Sequence, residues 1–232
     1  MKIDEIKESI RKLAKPEIAE VSRRFFKTGP GQYGEGDIFA GIRVPMLRSL
    51  AKELGTVELA TAWELLESVI HEERLLALLI LIAKFNHAND EGKGAIYAKY
   101  LRKTKYINNW DLVDCSAEHI IGKYLFDKDK AVLYNLAKSK NIWERRIAIM
   151  STFHYIKQNV FADALEISKL LLNDKEDLIH KAVGWMLREI GKRNSAVEEK
   201  FLKEYYQMMP RTMLRYAIER FPEVERQKYL KK

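Results

Sequence analysis

Seven consecutive residues, Asn108-Asn109-Trp110-Asp111-Leu112-Val113-Asp114, place polar and aromatic groups where a helical core strip would be apolar. If this segment is a helix, Trp110 and Asp114 are four apart and project from one face. An indole beside a carboxylate suits a cationic ligand, or a transition state that develops positive charge, because the ring face and the carboxylate both favour a cation. More plainly, the same residues could be a polar helix start with a packed tryptophan.

Other chemistries find little material. The five histidines, His71, His87, His119, His154 and His180, form no metal-binding spacing, and no metal site is expected. There is no Gly-x-Ser-x-Gly elbow, and the lone cysteine, Cys115, rules out an internal disulfide and is expected as a small buried apolar residue in a reduced compartment. A nuclease would need a third acidic partner for Asp111 and Asp114, and the sequence offers none in this register. Carboxylates, aromatics and arginines are what remain.

At 232 residues and 47% hydrophobic, the chain can bury a substantial core. Lys and Arg outnumber Asp and Glu by 41 to 33, a net +8 that favours a polyanionic partner. Apolar runs such as 75–83 are too short to span a bilayer, and the amphipathic start does not read as a signal peptide, so a cytoplasmic location and no membrane partner are expected.

Helical spacing dominates the elements that must position these side chains. Two helices are predicted from Ile3 to Lys27 with Pro16 opening the second, one from Met46 to Leu54, and one capped by Thr56 that runs to Val69. Further helices are predicted at about 71–86, 91–104, 111–125, 129–139, 142–157, 161–172, 177–192, 195–208 and 211–220. The Gly-rich stretch 28–37 reads as a loop that either connects helices or closes over a ligand. Its Gly29-x-Gly31-x-x-Gly34 matches a dinucleotide fingerprint in letters only, since it follows a helix and no βαβ unit surrounds it.

Internal repetition organises the helices. Aligning Arg74, Arg146 and Lys181 gives separations of 72 and 35 residues, a unit of about 36 that also lands on Trp110. Two helices per unit predict an all-α superhelical solenoid of antiparallel helix pairs, HEAT- or armadillo-like, as one domain over 1–232. In that register Trp110, Asp114, Arg146 and Trp185 share one stripe on a concave basic groove, with Arg43, Arg145, Lys181, Arg188, Lys192, Arg211 and Arg215 extending its basic lining.

Four blocks, Gly41-Ile42-Arg43-x-Pro45, Trp110-Asp111-x-Val113-Asp114, Trp143-x-x-Arg146 and Lys181-Ala182-x-Gly184-Trp185-x-Leu187-Arg188-Glu189, resemble in order and spacing the AlkD-like DNA alkylation-repair glycosylases. That resemblance implies hydrolysis of the N-glycosidic bond of cationic alkylated purines in duplex DNA, with Asp114 as the catalytic carboxylate, Trp110 and Trp185 as flanking indoles and Arg146 on the DNA backbone. Arg43, Arg145, Lys181, Arg188 and Arg215 would add DNA affinity, no cofactor is called for, and a monomer fits a groove that must admit a duplex. The loop 28–37 is longer than in the best-known form of the family, and Asn109 stands where some members carry an aromatic. The competing expectation is a non-catalytic HEAT-repeat scaffold that binds nucleic acid or a protein through the same basic face.

Overall fold

The computed structural model describes residues 2–231, and its secondary structure is helical apart from one isolated parallel bridge between Ile38 and Ile70. The predicted all-α fold is observed. The chain groups into two compact units, Met1–Ser116 and Ala117–Lys232.

In the first unit the helices are α1 (Ile3–Leu13), α2 (Pro16–Phe25), α3 (Val44–Glu53), α4 (Leu59–Leu65), α5 (His71–His87), α6 (Asp90–Arg102) and α7 (Trp110–Ala117), the last running one residue past the unit boundary. Pro16 opens α2, as its fixed φ and missing N–H suit the first helical position. Pro45 serves the same end at the start of α3. Thr56 does not cap α4: the helix starts at Leu59 behind Glu58 and ends at Leu65, well short of Val69.

Helix α5 organises this unit. Its Leu75, Leu76, Ala77, Leu78, Ile80, Leu81 and Phe85 are buried between α3, α4 and α6, and Leu47, Leu50, Leu65 and Ile96 pack around them. Its first turn is buried too, and consists of His71, Glu72, Glu73 and Arg74. Polar groups in such a place must be hydrogen-bonded or charge-paired, because an unsatisfied buried group costs about 1–3 kcal/mol.

The second unit continues from α7 through a π-type turn, Glu118–Gly122, into α8 (Lys123–Leu125), followed by α9 (Ala131–Ala137), α10 (Ile142–Ser151), α11 (Phe153–Lys157), α12 (Ala162–Leu170), α13 (Asp177–Gly191), α14 (Ser195–Tyr205), α15 (Arg211–Ala217) and α16 (Glu223–Leu230). The span 142–157, expected as one helix, breaks at Thr152, and α16 lies beyond the last predicted helix. Two glycines permit close crossings. A Cβ on Gly122 would stand 2.1 Å from the Ser151 carbonyl oxygen, and one on Gly184 would stand 2.4 Å from that of Met213.

The helices that carry the predicted repeat positions start at His71, Trp110, Ile142 and Asp177. The spacing is uneven, so the uniform register of 36 residues shifts at α7. Trp110 is the first residue of its helix, whereas Arg146 and Lys181 are each fifth in theirs. By place within the helix, Asp114 is the counterpart of Arg146 and Lys181.

Candidate active-site cleft

Three backbone N–H groups converge on one buried carboxylate. Those of Ala40 and Gly41 donate to Glu72 at 2.8 Å each, and that of Ile42 donates at 3.2 Å. Gly41 takes φ +84°, and a Cβ there would lie 2.1 Å from the Lys15 carbonyl oxygen and 2.6 Å from the Ala19 nitrogen. Only glycine fits that combination of positive φ and close approach. The Gly41-Ile42-Arg43-x-Pro45 block is thus a locked turn into α3 that ends on the exposed Arg43.

Arg43 opens onto a cleft of about 730 Å³ within the first unit. Trp110, Asp111, Asp114 and Cys115 of α7 line it, together with Arg48 and the apolar side chains of Ile18, Phe25, Phe26, Ile42, Leu75 and Leu79. The structure therefore brings Trp110, Asp114 and Arg43, three of the residues singled out from sequence, into one place. Cys115 is half-buried in the cleft wall rather than in the core, its Sγ donating to the Leu112 carbonyl at 3.3 Å. Burial, with the charges of Asp111 and Asp114 adding to it, pushes its thiol well above the ordinary range, which disfavours the thiolate.

Trp110 is held by aromatic neighbours that sequence reasoning did not assign to it. Phe26 stacks on its ring at 5.2 Å and 18°, and Phe25 meets it edge-on at 5.9 Å. The stack continues from Phe26 to Phe39 at 4.9 Å and from Phe39 to His71 at 4.4 Å. Asn109, which in sequence looked like a missing aromatic, is fully buried and opens α7: its Oδ1 accepts the Trp110 N–H at 2.9 Å and its carbonyl accepts the Val113 N–H at 3.2 Å.

Beneath the cleft lies a buried polar cluster whose hub is Asp37, the last residue of the Gly-rich loop. Its Oδ2 accepts from His71 Nδ1 at 3.0 Å and from Asn109 Nδ2 at 3.0 Å, and its Oδ1 accepts from Arg74 at 2.5 Å. The other ring nitrogen of His71, Nε2, donates to Asp111 Oδ2 at 2.8 Å. Burial alone would favour neutral His71, but hydrogen bonds to Asp111 and Asp37 outweigh it and raise its pKa to about 9. Burial likewise opposes ionisation of Asp37, yet the His71 bond and the Arg74 charge hold its carboxyl below the usual range. Asp111 Oδ1 is buried with no hydrogen-bond partner among the described residues, an acceptor in the cleft wall. The loop 28–37 is thus a structural anchor as well as a connection. It follows α2, with no strand before it, in keeping with the rejected dinucleotide fingerprint.

The remaining predicted residues lie in the second unit. Trp185 is half-buried on α13, its Nε1 donating to Glu189 at 3.2 Å and its ring 5.8 Å from that of Phe153. Arg146 is only 5% exposed and donates to the Leu178 carbonyl, which ties α10 to the first turn of α13. Arg145 pairs with Asp174 at 2.6 Å, Lys181 with Asp177 at 2.8 Å, and Arg188 with Glu219. Arg211 and Arg215 are exposed on α15, and Lys192 bonds Glu189 at 2.5 Å. Among the described residues no group of His, Cys, Asp and Glu could hold a metal ion, and no helix is long and apolar enough to cross a membrane.

The model of the family of DNA alkylation repair enzymes matches residues 6–221. The chain belongs to that family. Membership supports a role in DNA repair. A solved structure, described as a predicted DNA alkylation repair enzyme from Enterococcus faecalis, has a similar fold with a TM-score of 0.69 at 20% identity, over 90% of this chain and 97% of that one. No curated protein matches.

Proposed function

We propose that this family member hydrolyses the N-glycosidic bond of cationic alkylated purines in duplex DNA, with Asp114 facing the sugar. What carries the proposal is the cleft in which Asp114 stands beside Trp110, among apolar side chains and under Arg43 and Arg48. A site built only to hold a DNA backbone gains nothing from a carboxylate, which repels phosphate.

An alkylated ring nitrogen leaves the purine positively charged, so the base departs as a neutral molecule with the glycosidic electron pair and needs no strong general acid. The demand falls on the sugar, which acquires oxocarbenium character as the bond lengthens. Asp114 stabilises that charge and orients the water whose oxygen bonds to the anomeric carbon, the released proton passing to the carboxylate or to solvent. The indole face of Trp110, backed by Phe26, offers a cation–π contact to the same region.

Trp185 would supply the second indole. The exposed Arg43, Arg48 and Arg215 are better suited to phosphate contact than Arg146, which is buried and donates to the Leu178 carbonyl. No cofactor enters the proposed reaction.

The test is base release from methylated duplex DNA by the wild type and by Asp114→Asn, with no added metal and with DNA binding measured for both. Release by the wild type that collapses in the variant while binding survives supports the proposal. Binding without release from any alkylated duplex overturns it and leaves a non-catalytic DNA-binding protein.

A further inference from the structure

The first turn of α7 carries Trp110 and, one turn on, Asp114. The side chain between them in the cleft wall, Asp111, is fixed by His71 Nε2 at 2.8 Å, while its other oxygen has no hydrogen-bond partner among the described residues. His71 is in turn fixed by Asp37 at 3.0 Å and is itself only 1% exposed. We propose that His71 is a positioning residue for the cleft: bonded at both ring nitrogens, to Asp37 and to Asp111, it sets the first turn of α7 and with it the directions of Trp110 and Asp114.

The geometry requires a particular charge state. Ionised carboxylates only accept, so a ring that faces one at each nitrogen must donate from both, which only the imidazolium does. The charged groups around it close the balance. Asp37 faces it from the end of the loop and Asp111 from α7, while on its own helix Arg74 neutralises Asp37 and Glu72 is turned to the amides of residues 40–42. Two carboxylates thus meet two cations, an arrangement a buried cluster needs if it is not to be strongly unfavourable. Phe39 and Phe26 lie on the ring at 4.4 and 5.1 Å, and Phe26 also backs Trp110, so the imidazole reaches α7 both through Asp111 and through the aromatic stack. Loss of the proton turns a lone pair toward one carboxylate inside the protein. The hold on Asp111 then weakens.

Only the rate measurement rests on the glycosylase proposal. The first readout is the ring ¹⁵N spectrum of histidine-labelled full-length protein, with His71 assigned by its loss in His71→Gln. Both nitrogens protonated at pH 7.5 is the expected result, and a neutral tautomer at that pH overturns the proposal. The second readout is Trp110 emission, assigned by difference from Trp110→Phe: it should change as pH is raised through the His71 titration, and His71→Gln should abolish that change. Emission that follows the same pH course in both proteins overturns the proposal, whether or not the wild type releases base.

The third readout is single-turnover base release at saturating protein. His71→Gln should slow it by about 10- to 100-fold, the scale of a small misplacement of reacting groups, with DNA affinity altered by no more than about 2-fold. Asp111→Asn, which leaves His71 in place, should reproduce the slowing and lower the His71 titration, and it serves if His71→Gln does not fold. An unchanged rate in a folded variant, or a loss confined to DNA affinity, overturns the positioning role. A wild type that releases no base counts against the glycosylase proposal and leaves the first two readouts to decide this one.

Discussion

The Gly41 N–H donates to the Glu72 carboxylate at 2.8 Å, and the oxygen that accepts it also accepts from Ile42 at 3.2 Å. Glu72 therefore caps a turn that only glycine can make, and the turn delivers Arg43 to the cleft. Glu72→Gln places an amide NH2 among N–H donors and should lower stability by about 2–3 kcal/mol, the scale of a lost charged hydrogen bond. Gly41→Ala should cost at least as much, since strain at positive φ adds to a clash with backbone. Urea unfolding checks both, and an unmoved midpoint for either variant would refute this account of the turn.

His71 makes stability depend on pH. Its folded pKa is raised to about 9 from an ordinary 6.5, so the folded state holds a proton that the unfolded state releases. The stabilisation is fully present below about pH 6.5 and is lost as pH rises through about 9, on the order of 3 kcal/mol in all. Asp37, whose pKa is lowered, contributes in the opposite sense: its share is present above the ordinary carboxylate range and is lost as pH falls. The difference in urea midpoint between wild type and His71→Gln should therefore shrink from pH 6 to pH 9.5. A constant difference would contradict the linkage.

Glu198 works against the fold at high pH. It is 2% exposed, its Oε1 has no hydrogen-bond partner among the described residues, and it sits where a Cβ on Gly191 would be. Burial, reinforced by the neighbouring charge of Glu199, raises its pKa to about 8 against the pull of Arg188. A raised acid pKa means that stability falls as pH climbs from about 4.5 to 8. Glu198→Gln keeps the shape without the ionisation and should be more stable than wild type by roughly 5 kcal/mol at pH 9, with little gain at pH 4.5. Thermal unfolding at the two pH values decides it; equal gains at both would point to something other than titration.

If the cleft is the glycosylase site proposed, Asp114→Asn should lose about 2.7–4 kcal/mol of transition-state stabilisation, roughly 10²- to 10³-fold in single-turnover rate. Arg43→Ala and Arg48→Ala should instead weaken DNA binding and each reduce the salt dependence of the affinity by about one phosphate contact. Rates at saturating protein and binding isotherms at several salt concentrations separate these effects. A salt slope that neither arginine variant changes would remove both from the DNA interface.

The helices were legible because apolar residues at helical spacing and proline at first turns are local signals: α2 begins at the predicted Pro16 and α13 at the predicted 177. The register of α7 was not, because the starts of the helices that carry the repeat positions are unevenly spaced and a uniform length does not fit them. Trp110 and Asp114 could be picked out as a pair because they lie four apart on one helix. The Asp37–His71–Asp111 cluster could not, since its members come from a loop and two helices 34 to 74 residues apart and carry no periodic pattern. One signal was available. Four consecutive ionisable residues, His71-Glu72-Glu73-Arg74, lead directly into the apolar run of α5, and a helix start that polar, if buried, must find partners.

The stack from Trp110 through Phe26 and Phe39 to His71 bears on the heat and entropy of binding. An indole that turned freely before a ligand arrived would have to be immobilised in the complex, and ordering a side chain of that kind consumes about 0.5–1.5 kcal/mol of what the contact offers. Trp110 has already lost that freedom during folding. A ligand meeting its ring encounters a surface arranged in advance, so the contact should appear calorimetrically as favourable enthalpy with little opposing entropy from the indole.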